Sequence, residues 1–322
     1  MSRIPPFRSS LRALLLGLAL AAGAVSADPV GPPGPSAATS ATVPFSTATI
    51  GEATRPIIEV QLNGHPSKMM VHANASLYVQ VIHRIAAQVG VSDLRHHGAF
   101  GIEAPGKVSA LGLDKGVLDR LTIGNATVTN VPVAVFETPE PDADVGMLGI
   151  GWIRANRVVL EYPAKRVLVN PDAAQIARLR AGLLGDGYVA LPMQFDEKEQ
   201  RYVVRATLGR VERAMVVSTV GNVVIDEAFA HQAGVKKGAV GGEMDGPKGA
   251  QLYRYRTERP LVVRIGTWSS KPVDDADIED VYAYASETRP DGEALGGMLG
   301  ADFLTKAGAV IDFGDKTLYL RK

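Results

Sequence analysis

Two short loops of this chain contain side chains that could act together as a chemical site. His72 follows the apolar residues Met69–Val71, and Ser218 follows the apolar residues Ala214–Val217. If the two loops meet, the imidazole and the hydroxyl could form the hydrogen-bonded pair of a serine hydrolase. Such an enzyme also needs an acid that orients the histidine and an oxyanion hole. Because neither is evident beside these residues, the sequence favours two loop residues without catalytic function.

The elements that position these loops occur twice in the chain. Residues 146–169 match residues 297–320 without a gap at an offset of 151, and both copies begin Gly-Met-Leu-Gly. A match at a fixed offset indicates a duplication, and this period is far too long for a solenoid repeat. We therefore expect two similar lobes with the functional site in the seam between them.

The same order of elements leads to each loop. Alternating apolar residues approach a turn at Asn63-Gly64 in the first half and at Gly209 in the second, which is typical of β-hairpins. A second apolar strand, the loop itself and a brief helix follow, and the helix ends at Gly90 or Gly234. Short strands complete each half after the glycine-rich segments 98–106 and 238–249. These patterns predict an all-β protein.

The duplication predicts the domain organisation. We expect lobe one at residues 43–170 and lobe two at 188–322, related by a pseudo-twofold axis and joined by a connector at 171–187. Only the connector has a clear helical pattern, from Ala173 to Ala181, and we expect Gly182 to end this short inter-lobe helix. Because a duplicated chain supplies its own symmetry partner, we expect a monomer.

The N-terminus has the features of a bacterial export signal. Three arginines precede a charge-free apolar run, and the small residues Val25-Ser26-Ala27 are suitable for cleavage. The run is shorter than the roughly 20 residues that span a bilayer, so we expect no membrane span after cleavage. Residues 28–42 are rich in Pro, Ala and Ser and predict a flexible tether. The chain contains no cysteine, which suits a periplasmic or secreted protein that folds without disulfides.

Charge argues against one class of partner. Removal of residues 1–27 changes the balance of 34 basic and 34 acidic residues to 31 against 34, because it removes three arginines and no acid. No basic stretch stands out in the remainder, so we expect no nucleic-acid partner. No pattern of residues indicates a cofactor.

The whole order of elements resembles the pepsin/retropepsin superfamily of aspartic proteases, and more narrowly the bacterial periplasmic retropepsin-like proteins. The segment Gly297–Leu304 is similar to the Gly-Leu-Leu-Gly-x-Asp-Phe-Leu segment of that family, and Gly146–Ile153 is similar with glycine in place of the aspartate. The resemblance extends over nearly all of residues 43–322. It implies two pseudo-twofold-related acid-protease lobes, each supplying one catalytic aspartate from an Asp-Thr/Ser-Gly loop.

Neither lobe has that aspartate. The resemblance places His72 at one catalytic position and Ser218 at the other. Aspartic proteases need two facing carboxylates that share a proton, so that one acts as base and the other as acid. A hydroxyl does not titrate near neutral pH, and a lone imidazole has no carboxylate partner. We therefore expect no aspartic protease activity.

The remaining loop residues differ from the family pattern to different degrees. Thr219 retains the hydroxyl that, in the family, braces the two loops, whereas Ala73 has lost it. Asn74 stands in place of the family glycine and can imitate its backbone conformation, whereas the β-branched Val220 cannot do so easily. The resemblance makes these loops the candidate ligand-binding residues: His72, Ala73, Asn74, Ser218, Thr219, Val220 and Gly221.

Other residues that could do chemistry have simpler interpretations. His96 and His97 are adjacent and cannot both face one ion from a strand, and His72 and His83 lack a second ligand at suitable spacing. We therefore predict no metal site. The acidic residues of segment 274–280 could bind a cation weakly, but we expect a solvated loop.

The predicted function is that of an exported, inactive retropepsin-like protein whose inter-lobe groove binds an extended peptide or an envelope protein. Two alternatives stay open. One is an active peptidase or hydrolase with a rebuilt site, formed either by Ser218 and His72 or by an aspartate such as Asp226. The other is a structural component of the cell envelope.

Overall fold

A computed structural model describes residues 40–50, 53–104, 106–138, 145–284, 289–290 and 293–322. The predicted signal peptide and residues 28–39 of the predicted tether lie outside the described residues, whereas Ala41 and Thr42 already belong to the first strand. Strands dominate the described chain, and the predicted all-β fold is confirmed. No helix among the described residues is long and apolar enough to cross a membrane.

The described residues of lobe one form thirteen strands and two short helices. Its helices are α1 (His83–Val89) and α2 (Ile150–Ala155). Its strands are β1 (Ala41–Pro44), β2 (Ser46–Ile50), β3 (Ala53–Leu62), β4 (His65–Val71), β5 (Val79–Val81), β6 (Ser92–His96), β7 (Ile102–Ala104), β8 (Lys107–Val108), β9 (Asp114–Ile123), β10 (Ala126–Val135), β11 (Val145–Leu148), β12 (Val159–Glu161) and β13 (Arg166–Val169).

The connector helix α3 is longer than the sequence predicts. It runs from Ala173 to Gly185 and passes through Gly182, where we had expected it to end. The Asp172 side chain caps its first turn by accepting a hydrogen bond from the Gln175 N–H. Leu183 lies beyond Gly182 and is buried against the strands beneath the helix, so burial of an apolar side chain overrides the low helix propensity of glycine.

Lobe two repeats the pattern of lobe one. Its helices are α4 (Glu227–Ala233), α5 (Val281–Tyr284) and α6 (Ala301–Lys306). Its strands are β14 (Tyr188–Pro192), β15 (Gln194–Asp196), β16 (Arg201–Leu208), β17 (Val211–Val217), β18 (Val224–Asp226), β19 (Lys237–Asp245), β20 (Gln251–Thr257), β21 (Arg264–Ile265), β22 (Trp268–Ser269), β23 (Asp277–Glu279), β24 (Gly297–Leu299), β25 (Val310–Asp312) and β26 (Thr317–Arg321).

Each lobe has its own sheet, and a third sheet joins the lobes. Lobe one forms an eight-stranded sheet, and lobe two forms a ten-stranded sheet. The third sheet has six strands in the order β1-β13-β12-β25-β26-β14, three from each lobe. Its two central strands are the repeated segments themselves, and they pair so that Leu160 lies opposite Ile311. These two residues correspond under the offset of 151, so the pseudo-twofold axis passes between them.

The core is continuous through both lobes. One large cluster of buried apolar side chains includes residues of both halves, such as Trp152 and Phe303. A second cluster lies between the shared sheet and helix α3, and it includes Val159, Val310 and Leu183. The connector is therefore a cover for the shared sheet as well as a link between lobes.

Close backbone packing explains why the Gly-Met-Leu-Gly sequence occurs twice. A Cβ atom on Gly149 would collide with the carbonyl oxygens of Leu77 and Ala75, and one on Gly300 would collide with those of Asn222 and Gly221. Both glycines have ordinary negative φ angles. These positions therefore require a residue without a side chain, and not one with unusual backbone freedom. Each glycine packs directly against the backbone of the loop that follows His72 or Ser218.

We predict that Gly300→Ala destabilises the protein by about 1–3 kcal/mol, the usual cost of forcing an extra methyl group into a packed site. Gly182→Ala is the matched control, because its Cβ would meet no atom within 4 Å and alanine favours a helix by roughly 0.5–1 kcal/mol. Urea unfolding of both variants measures the two free energies. Equal stability of the two variants would contradict this explanation of the repeat.

Candidate functional site

One threonine holds the two loops together across the seam. The hydroxyl of Thr219 accepts a hydrogen bond from the Ala73 N–H at 2.8 Å and donates one to the Val71 carbonyl at 2.6 Å. Both bonds are buried, and both join lobe two to lobe one. The bracing that the resemblance implies for Thr219 is therefore present. Ala73 is the corresponding residue of lobe one. It is fully buried and has no hydroxyl that could form the equivalent bonds to lobe two.

His72 and Ser218 occupy equivalent positions. The N–H of His72 donates to the Leu148 carbonyl at 2.9 Å, and the N–H of Ser218 donates to the Leu299 carbonyl at 2.9 Å. The two acceptors correspond under the offset of 151. The alignment of the two loops inferred from sequence is therefore the one that the backbone adopts, including in lobe two, where the loop is shorter.

The turn after each site residue differs from the expectation. Asn74 is not among the residues with positive φ, and neither is Val220, whereas Gly221 has a φ of 74°. In lobe two, the left-handed backbone conformation thus occurs one residue later than expected, at Gly221, and glycine tolerates this conformation best. The Gly221 N–H donates to the Thr54 carbonyl of lobe one at 3.1 Å, so the altered loop gains a second contact across the seam.

Val220 and Asn74 also contact the opposite lobe. The Val220 side chain packs against a small apolar cluster of lobe one that contains Ile57 and Met70. The amide nitrogen of Asn74 lies 3.1 Å from the sulfur of Met298, a weak acceptor. Its amide oxygen is buried without a hydrogen-bond partner among the described residues.

His72 has an imidazole that stays neutral. Burial lowers its pKa most strongly, the nearby charges of Arg55 and Arg201 lower it further, and the result is a pKa of about 3. Its Nδ1 atom is buried and has no hydrogen-bond partner in the described part of the chain. A histidine in this state cannot supply the charge that a missing aspartate would have carried.

Ser218 uses its hydroxyl within its own loop. The hydroxyl donates to the Val220 carbonyl at 3.1 Å, and the whole residue is buried. Among the described residues, no hydrogen bond joins the side chains of Ser218 and His72. The loops therefore bring both residues to the seam but do not arrange them as a serine–histidine pair.

One hairpin from each lobe meets the other in a second contact between the lobes. The hairpin of β7 and β8 in lobe one and the hairpin of β19 and β20 in lobe two come from the glycine-rich segments seen in the sequence. The N–H of Gly101 donates to the Pro247 carbonyl at 3.0 Å, which joins the two hairpins. The lobes are thus joined by the two loops, which we call the floor of the seam, and by the two hairpins, which we call its roof.

Asp226 lies apart from these loops and has structural contacts. Both of its carboxylate oxygens accept hydrogen bonds from Arg289 at 2.6 Å. One of them also accepts from the Ala228 and Phe229 N–H groups at the start of α4. These bonds cap a helix, which explains the acid at this position without any catalytic function.

The acidic segment 274–280 is not the solvated loop that we expected. Asp277 and Glu279 are 1% and 3% exposed and lie on strand β23, where Glu279 pairs with Asp226 of the parallel strand β18. Asp277 is 3.0 Å from Arg256, and such ion pairing makes its burial tolerable. Burial, and then the charge of Asp277, raise the pKa of the Glu279 carboxyl to about 7.

Two other histidines, His83 and His96, contact carboxylates at the edge of lobe one. His83 lies 3.0 Å from Glu137 and 3.3 Å from Asp114, and His96 lies 2.8 Å from the other oxygen of Asp114. No group of three or more His, Cys, Asp or Glu residues in the described ranges is arranged to hold a metal ion.

Sequence reasoning missed two residues near the site. Arg55 precedes His72 by 17 residues, and Arg201 precedes Ser218 by the same number. Comparison of the two halves at these positions would have revealed the pair.

Comparisons with known proteins find similarity only at the level of structure. No protein-family model matches the chain, and no curated protein matches it. A retropepsin-like aspartic protease from Rickettsia conorii aligns with 41% of this chain and 90% of its own, at 16% identity and a TM-score of 0.31. Basic 7S globulin from soybean covers 88% of this chain and 95% of its own, at 11% identity and a TM-score of 0.43. Conglutin gamma, a basic 7S globulin from lupine seeds, covers the same shares at 12% identity and a TM-score of 0.44. Similarities this low say nothing about activity, and the fold is described above from strand order and register alone.

We predict that Thr219→Val destabilises the protein by about 1–3 kcal/mol, because it leaves the buried Ala73 N–H without its acceptor. Thr219→Ser keeps the hydroxyl and should retain most of the stability. Thr122→Val is a control for loss of a hydroxyl within one lobe, since Thr122 bonds Thr127 at 3.1 Å. Urea unfolding measures all three. A Thr219→Val variant as stable as the wild type would show that the bridge is dispensable.

We predict that Glu279 makes the protein less stable as pH rises. The folded-state pKa of about 7 exceeds the usual 4.5, so its contribution is complete below pH 4.5 and is lost as pH rises through about 7. The free energy of unfolding falls by about 3 kcal/mol over this pH range. Glu279→Gln should remove this pH dependence, whereas Glu197→Gln at an exposed site should not. Unchanged pH dependence of the unfolding free energy in Glu279→Gln would mean that Glu279 is already ionised at acid pH.

Proposed function

We propose that this chain is an exported, retropepsin-like protein that has lost aspartic protease chemistry and binds an extended peptide between its lobes. The observation that carries the proposal is the bridge from Thr219 to Ala73 and Val71. It supports an intact seam in which His72 and Ser218 take the positions that the resemblance assigns to the two aspartates.

The loss of activity follows from what these two side chains can do. Hydrolysis of a peptide bond by this fold requires one carboxylate to activate water and a second to protonate the carbonyl. A neutral imidazole with a pKa of about 3 does not give up or gain a proton at ordinary pH. The Ser218 hydroxyl is bonded to the Val220 carbonyl, and no base among the described residues is hydrogen-bonded to it in a way that would activate it.

Peptide binding is supported by the groups that line the seam. Extended peptides bind by adding a strand to exposed backbone edges, and pockets then select their side chains. The two roof hairpins offer such edges. Two polar atoms of the floor, Nδ1 of His72 and Oδ1 of Asn74, are buried without partners, and a ligand that supplies partners would remove the cost of leaving them unpaired.

The rebuilt-hydrolase alternative receives no support from the contacts at the seam. Ser218 and His72 are not hydrogen-bonded to each other in the described structure, and Asp226 is bound to Arg289 and to the start of α4. Export through residues 1–27, a monomeric state and a periplasmic or secreted location remain part of the proposal. A purely structural function in the envelope is left as an outcome of the test.

The test is a paired assay of cleavage and binding by the mature chain. We expect no cleavage of casein or of a mixed peptide library from acid to neutral pH, but measurable binding of library peptides by fluorescence anisotropy. Asn74→Leu in the seam should weaken binding, whereas Gln88→Leu on the exposed face of α1 should not.

Two results would contradict the proposal. Cleavage that His72→Ala or Ser218→Ala abolishes would establish an active hydrolase. Absence of any peptide binding, or binding that Asn74→Leu leaves unchanged, would remove the seam as a peptide site. Retention of an envelope partner by the Asn74→Leu variant would then favour the structural function.

A further inference from the structure

Arg55 and Arg201 are a symmetric pair of cations beside the site. Arg55 is near the start of β3 and Arg201 is the first residue of β16, the corresponding strand of lobe two. Each precedes its site residue by the same number of positions. Both halves of the duplication thus keep an arginine here, although each has lost the acid that the resemblance would place at its loop.

Strand alternation places both arginines on the faces that meet across the seam. Residues two apart on a strand share a face, so Arg55 lies on the face of Ile57, which packs with Val220 of the opposite lobe. Arg201 lies on the face of Val203, whose cluster includes Met298. Met298 in turn contacts Asn74 of lobe one.

The electrostatics of the seam agree with this placement. Both guanidinium charges act on His72 and lower its pKa, so both lie near the imidazole. Arg201 forms no ion pair in the described part of the chain, and its Nε atom is buried without a hydrogen-bond partner. The loops themselves, residues 72–76 and 218–222, contain no acid. Two arginines thus lie beside loops that carry no acid of their own, and a carboxylate oxygen of Asp302 accepts from the Thr54 N–H at 3.5 Å.

We infer that the peptide bound in the seam carries a carboxylate side chain, an aspartate or glutamate, which Arg55 and Arg201 bind where it passes between the two loops. This inference rests on the proposed function. Arginine and carboxylate form paired, charge-assisted hydrogen bonds of matching geometry, and Arg201, whose buried Nε has no hydrogen-bond partner among the described residues, gains most from such a ligand. The seam would thus receive its acid from the ligand instead of from its own loops.

The experiment compares blocked, extended peptides that differ at one central residue. We expect the Glu peptide to bind at least about tenfold more tightly than the matching Gln peptide, as hydrogen bonds to charged groups imply. Arg201→Gln and Arg55→Gln should each remove most of that preference while leaving binding of the Gln peptide nearly unchanged. Arg210→Gln, in the exposed turn after β16, is the control, and circular dichroism checks that every variant is folded.

The outcomes separate this inference from the proposed function. Equal binding of Glu and Gln peptides, or a preference that both arginine variants retain, overturns the inference but leaves peptide binding in place. If no peptide binds, the proposed function fails, and glutarate then tests the arginines alone through the NMR shifts of the His72 ring. If glutarate shifts the His72 resonances and Arg201→Gln abolishes that shift, the carboxylate site is supported. If glutarate causes no shift, the inference is overturned.

Discussion

The arrangement of the two loops depends on one buried hydroxyl. Thr219 accepts from one backbone group of lobe one and donates to another, and a buried backbone group without a partner is costly. This one side chain of lobe two therefore sets how the two loops lie against each other, and lobe one supplies no equivalent side chain. The Ala73 position contributes no hydroxyl, and contacts of Gly221 and Asn74 supply additional bonds across the seam. The two loops stay braced against each other although neither contains an aspartate.

The duplication organises the rest of the molecule. Residues Leu160 and Ile311 meet at the pseudo-twofold axis of a sheet that both halves build, and the paired glycines Gly149 and Gly300 support the two loops in the same way. The halves differ mainly in charge. Lobe two buries Asp226, Asp277 and Glu279 on the flank of its sheet, whereas the loops at the centre are neutral and have arginines beside them. Asp226 and Asp277 are paired with arginines, and Asp226 also caps a helix.

Much of the fold could be predicted from sequence because its signals are local. Alternation and turn residues identified the hairpins, and Gly90 and Gly234 end their helices in the left-handed conformation, as expected. The shared six-stranded sheet was missed, since pairing between strands far apart in sequence leaves no local pattern. The burial of Asp277 and Glu279 was missed for a related reason. Charged residues in a row usually remain in water, whereas here arginines of the neighbouring strand pair with Asp277 and burial raises the pKa of Glu279 to about 7.

The central claim is that the seam holds a neutral histidine beside two arginines where the resemblance predicts a carboxylate. The most direct test is a titration of the His72 ring by NMR, with the ring resonances assigned from His72→Gln. The account predicts that the ring stays neutral as pH falls through the usual range and takes up a proton only near a pKa of about 3. A His72 pKa at or above the ordinary value of 6.5 would contradict it, because that result requires a ring that is exposed to solvent or has a carboxylate beside it.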